Sequence, residues 1–226
     1  MTWRKTIILT AGTAVGLLTP HPARADFTGL YFGSHIGGNF PSIDILGEFD
    51  NVAPTAYELE PNGWTAGIHL GYTVPVQGAM IGIEAAWSAA NDVDTHPAGS
   101  GTSDDFASFE FNDTISLAAR FGVFLTPRYM PFVKIGVAWA DIKGGAGDTD
   151  GVPPALDRGD VFRTNGWQTG FVVGTGLDVL WARDWSVRAE YEYMDFGSSV
   201  IANADGDVNS VAVQNHAIKI GVSRHF

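Results

Sequence analysis

Eight segments of this chain alternate apolar with small or polar residues at a period of two, each about ten residues or longer. They run over roughly 28–38, 63–74, 79–90, 112–125, 130–141, 165–181, 185–196 and 213–226. A period of two is the repeat of a β-strand, whose successive side chains point to opposite faces. Glycines and β-branched residues interrupt every apolar run, which disfavours helix and favours pleated structure. The fold class is therefore all-β.

The connections alternate in character. PVQG (75–78), TPRY (126–129) and ARD (182–184) are tight, whereas the stretches around 39–62, 91–111, 142–164 and 197–212 are long and rich in Asp, Gly, Ser and Pro. Short turns at one end and four long loops at the other predict an eight-stranded antiparallel up-and-down barrel. In a transmembrane barrel the turns are periplasmic and the loops extracellular.

The two faces differ in chemistry. One parity of the strands holds Ile81, Ile83 and Trp87; Ile115, Leu117, Phe121, Val123 and Leu125; Val133, Ile135, Val137 and Trp139; and Ile218, Ile220, Val222 and Phe226. The other holds charges and glycines. A soluble barrel would alternate too, with the apolar face inward. The tryptophans discriminate. Trp64, Trp87, Trp139 and Trp167 stand on the apolar parity beside the long connections, and Trp181 and Trp185 flank a short turn. Two aromatic girdles at membrane interfaces have this distribution. The opposite parity sends Arg120, Lys134, Arg188 and Lys219 into the lumen with Glu84, Asp178, Glu190 and Glu192. Four cations against four anions, in an interior only wide enough for side chains, predict a paired network that packs the lumen.

The N-terminus reads as a signal peptide over 1–25. Arg4 and Lys5 precede the apolar TIILTAGTAVGLL, and Ala23 and Ala25 give the small-x-small cleavage pattern, with the barrel over 26–226. The apolar run is shorter than the roughly 20 residues of a spanning helix. Removing Arg4, Lys5 and Arg24 lowers Lys+Arg from 13 to 10 against 25 Asp+Glu, a formal charge of −15. An acidic chain without a basic stripe repels phosphate backbones, which sets nucleic acid aside.

The opening FTGLYFGSHIGG, the eight segments with four long loops and the terminal strand ending in Phe226 resemble the small outer-membrane β-barrels of Gram-negative bacteria. These are the outer-membrane protein A-like, opacity-type and hemin-binding surface proteins. The resemblance covers 26–226, with Phe27 where such proteins often have tryptophan. It implies the outer membrane as location, with lipid and lipopolysaccharide as surroundings. It also implies that Ile218, Ile220, Val222 and Phe226 form the signal read by the outer-membrane assembly machinery.

Other functions have weaker support. Ser34 and His35 are adjacent and face opposite sides of a strand, so they form no catalytic dyad, and His69 reads as lumen filler. GDTDG (147–151) and NADGDVN (203–209) have the look of calcium loops, but the twelfth position from Asn203 is Gln214. No enzyme, cofactor or metal site is expected. Eight strands leave little room for a porin. The loops are acidic, with Asp44, Glu48, Asp50, Glu58 and Glu60 in the first, which suits a surface-interaction role with a host or surface ligand. A small-solute porin or a hemin receptor is the alternative. His96 is the one loop histidine, and no tyrosine–histidine cluster stands out beyond Tyr57.

A charge at the barrel edge costs only about 0–1 kcal/mol, so a severe defect on altering Phe226 must come from lost recognition. Phe226→Asp is expected to be secreted but to fail to insert, whereas Lys219→Glu inserts with reduced stability. Fractionation of the envelope checks both, and an inserted Phe226→Asp beside a failed Lys219→Glu refutes the assembly signal.

Overall fold

The computed structural model describes residues 27–47, 55–59, 62–90, 92–97, 106–147, 162–202 and 208–226. The expected signal peptide with Ala23 and Ala25 lies outside them, as do Glu48, Asp50, Glu60 and much of the two Asp/Gly stretches.

Among the described residues there are ten strands. They are β1 (Gly29–Gly47), β2 (Thr55–Leu59), β3 (Gly63–Val76), β4 (Ala79–Ala90), β5 (Asp92–Pro97), β6 (Phe106–Val123), β7 (Tyr129–Gly147), β8 (Phe162–Ala182), β9 (Trp185–Ala202) and β10 (Val208–His225). Eight form a closed antiparallel wall in the order β1-β3-β4-β6-β7-β8-β9-β10. The wall closes where β10 pairs with β1, from Tyr31 opposite His225 to Leu46 opposite Ser210.

The strands outrun their expected ends on the long-loop side. β1 and β7 continue to Gly47 and Gly147, and β6 begins at Phe106. The short strands β2 and β5 pair with the extensions of β1 and β6. The reading of 39–62, 91–111, 142–164 and 197–212 as loops is thus corrected: substantial parts are strand. The physical reason is a change of solvent. Up to Phe40, Ile115, Trp139 and Ile218 the outward residues of these strands are apolar or small, with Arg224 near the short-turn rim as the exception; beyond them they include Ser42, Asp44, Glu110, Asp141, Lys143 and Gln214. Over the same stretch the inward positions become apolar, with Ile43, Phe111, Ile142, Val211 and Val213 all buried. The apolar face changes sides, as it must when a barrel passes from lipid into water. In β6 an irregularity between Phe111 and Thr114 turns Phe111 inward.

Below that boundary the outer wall is predominantly apolar and open. Ile36, Ile83, Ile135 and Ile220 are each 60 % exposed or more. A belt of this kind in water would far exceed the patches that soluble monomers leave uncovered. The inward side is tightly filled. A Cβ on Gly71 would stand 2.2 Å from the Tyr31 ring, so glycine is what lets that ring lie across the lumen.

Candidate functional site

The lumen is layered. Next to the short turns, Phe27, Met80, Met130 and Leu180 are buried together. Next to the long connections, Ile43, Phe111, Ala138, Ala140, Ile142, Val172, Met194, Phe196, Val211 and Val213 form a second apolar cluster. Between them lie the eight charges that strand parity assigned to the interior. The charges are confined to this middle layer, while uncharged polar side chains are buried beside both clusters, Ser186 and His225 at one end and Asn39 and Asn215 at the other.

All eight charged groups are buried, and the structure brings them into one network. Asp178 accepts from Arg120 at 2.5 Å and from Arg188 Nε at 2.9 Å. Arg188 also reaches Glu84 at 2.6 Å. Lys134 stands 3.2 Å from Glu84 and 2.6 Å from Glu190, and also bonds Glu192, which is shared with Lys219. β4, β6, β7, β8, β9 and β10 are thereby tied through their side chains. Buried ions need both counter-charge and hydrogen bonds to offset desolvation. The Tyr31 hydroxyl supplies one, donating to Glu84 at 2.6 Å.

Aromatic rings complete the layer. The Arg120 guanidinium lies 3.7 Å from the Phe132 ring centroid, and Arg188 lies 5.1 Å from the same ring. Such stacking suits a planar, weakly hydrated cation. Sequence reading missed Phe132 and Tyr31, although both share the inward parity of their strands.

Two histidines, His35 and His69, lie on the long-loop side of Tyr31, and His225 lies towards the short turns beside Phe27 and Ser186. His35 and His69 stack with Nδ1 atoms 3.4 Å apart; the other nitrogens meet Ser88 Oγ at 2.9 Å and Ser223 Oγ at 2.7 Å. The His69–Ser223 contact has the reach of a base on a nucleophile, but Ser223 is buried inside the wall, where an acyl or glycosyl substrate has no place to sit.

On the outer wall, Trp64, Trp87 and Trp167 are exposed and Trp139 is half-buried at the level where the apolar face changes sides. Trp87 Nε1 donates to Asp113 at 3.4 Å, one group on each side of that boundary. Trp181 and Trp185 flank the β8–β9 turn at the opposite rim. Ile218, Ile220, Val222 and Phe226 all point outward, and the Phe226 N–H donates to the Leu30 carbonyl at 2.9 Å. The same face carries Arg224, which the sequence reading of this strand passed over. A tyrosine–histidine group that the sequence did not reveal also forms here. The Tyr191 hydroxyl and His216 Nδ1 are 2.7 Å apart, and the Tyr193 ring lies 5.0 Å from the His216 ring. The residues come from neighbouring strands, so their proximity depends on the β9–β10 register, in which His216 faces Tyr193.

Lys134 and Arg188 each meet three carboxylates of the network. Lys134→Met leaves three carboxylates without that partner and is expected to cost about 3–5 kcal/mol. Lys143→Met removes only a surface contact with Asp141 at 3.8 Å and is expected to cost under about 1 kcal/mol. Urea unfolding in detergent, followed by tryptophan fluorescence, checks the contrast.

Residues 8–226 match the family model described as the outer membrane protein beta-barrel domain. The 31 kDa outer-membrane immunogenic protein of Brucella melitensis is 22% identical over 211 residues, covering 88% of this chain and 84% of that protein. The crystal structure of the outer membrane protein OprG from Pseudomonas aeruginosa superposes with a TM-score of 0.52 at 12% identity, covering 88% of this chain and 97% of that one. Neisserial surface protein A gives a TM-score of 0.46 at 12% identity, over 88% and 98% of the two chains. With its closed wall, its apolar outer belt and this match over nearly its whole length, the chain belongs to the outer-membrane β-barrel family and is a protein of the Gram-negative outer membrane.

Proposed function

We propose that this barrel is a closed membrane stem that holds acidic segments at the cell surface, where they meet cations, lipopolysaccharide or a basic partner. The observation that carries the reading is the layering of the lumen, in which buried apolar clusters stand on both sides of a charge-paired layer. An ion crossing it would lose its hydration twice and would have to displace paired groups between. The acidic character of the long-loop end supports the other half of the reading, since Asp44, Glu110, Asp113 and Asp141 already form an acidic collar. The Brucella relative is named for being immunogenic, which accords with display at the surface.

In planar bilayers the purified barrel is expected to give no stable open channel. Large, long-lived conductance steps would overturn the closed-stem reading in favour of a small-solute porin.

A hemin receptor is the second reading, and the Tyr191–His216–Tyr193 group favours it because phenolate and imidazole are both iron ligands. The His216 nitrogen is already satisfied by a hydroxyl, which ranks this below the stem. If the second reading holds, hemin titration gives a Soret shift that His216→Ala abolishes; an identical titration in both proteins removes it.

A further inference from the structure

Ten Lys and Arg residues follow the expected signal peptide, and the ionic layer uses four of them. Three of the other six gather at the rim of the short turns, far from the acidic end. Arg128 sits in the β6–β7 turn, Arg183 in the β8–β9 turn and Arg224 near the end of β10, and all three are exposed. Asp184 is the one acidic side chain among the described residues of this rim.

The three follow one another along the rim, from the β6–β7 turn through the β8–β9 turn to β10. The Arg128 carbonyl accepts from Leu180 N–H at 2.9 Å, which brings that turn beside Trp181. Arg224 stands opposite Trp185 on β9 and opposite Phe32 on β1. Its guanidinium lies 5.1 Å from the Phe226 ring and 6.0 Å from the Trp185 ring.

Arg224 also occupies an unusual place, because it shares the outward face of β10 with Ile218, Ile220, Val222 and Phe226. An arginine there meets lipid with its stem and needs an anion at headgroup depth for its five donors. The rings beside it are those that settle at the membrane interface. The opposite side of the same rim, around the β3–β4 turn at Gln77 and Gly78, carries no charge.

We propose that Arg128, Arg183 and Arg224, with Trp181, Trp185 and Phe226, form a binding site for the headgroup phosphate of an anionic glycerophospholipid in the periplasmic leaflet. The guanidinium groups take the phosphate oxygens, and the exposed rings lie along the glycerol and upper acyl region. Both signals are required, because charge alone would select free phosphate and rings alone would select any lipid.

The test is native mass spectrometry of the full-length barrel released from detergent, incubated with equal amounts of phosphatidylglycerol and phosphatidylcholine. Each engaged arginine is worth about fivefold in favour of the anionic lipid, equivalent to ~1 kcal/mol. With all three engaged, the parent is therefore expected to retain phosphatidylglycerol over phosphatidylcholine by about a hundredfold. The triple variant Arg128→Gln, Arg183→Gln, Arg224→Gln is expected to bring the ratio to parity, while Lys143→Gln at the other end leaves it unchanged. A gel shift between boiled and unboiled samples verifies that each variant is a closed barrel. Equal retention of both lipids by the parent overturns the site, as does a preference that survives in the folded triple variant. Displacement of the lipid by inorganic phosphate overturns the lipid as its ligand.

Discussion

In a bilayer core no water is present to take up a stray N–H or carbonyl, so a sheet can span only if its two edges find each other. Here that requirement falls on the pairing of β10 with β1, which runs unbroken from Tyr31 opposite His225 to Leu46 opposite Ser210. Everything else presupposes it. Once the wall is closed, parity decides which side chains face lipid and which are forced together. The ionic layer exists because six strands deliver their charges to the same small interior.

That interior is demanding. Single charges from β4, β6, β7, β8 and β10 and three from β9 meet where no bulk solvent screens a mismatch. A register slip of one residue in any strand would turn its charge into lipid and leave partners unpaired. Buried ion pairs contribute little net stability compared with apolar packing, yet they penalise wrong registers heavily. On that reasoning the layer selects one closed arrangement among the several that an apolar outer belt alone would tolerate.

Much of this was legible in the sequence, because the period of two survives inside each strand. The inward placement of Glu84, Arg120, Lys134, Asp178, Arg188, Glu190, Glu192 and Lys219 followed from parity alone. The change of apolar face at the girdle did not. Segments such as NSVAVQN look like loop beside glycine- and aspartate-rich neighbours, yet Val211 and Val213 are core residues there. Residues whose neighbours come from other strands were equally hidden. Phe132 is an ordinary strand aromatic until Arg120 lies across it, and His216 becomes part of a group only through the register with β9. Arg224 was visible but broke the pattern, and it is the exception that proved informative.

The inversion of the wall above the girdle has a mechanical consequence. A spanning strand needs only about 9–11 residues, whereas β1, β7 and β8 have 19, 19 and 21. Some eight residues of β7 continue beyond Trp139, which carries the described sheet roughly 20 Å past the girdle. That sheet has its own dry filling of Ile43, Phe111, Ile142 and Phe196, so it is a rigid pedestal. The buried apolar cluster stands between this outer sheet and the charges below. The tips can therefore drift in sequence, lengthen or exchange charge without disturbing the part that must fold correctly in lipid.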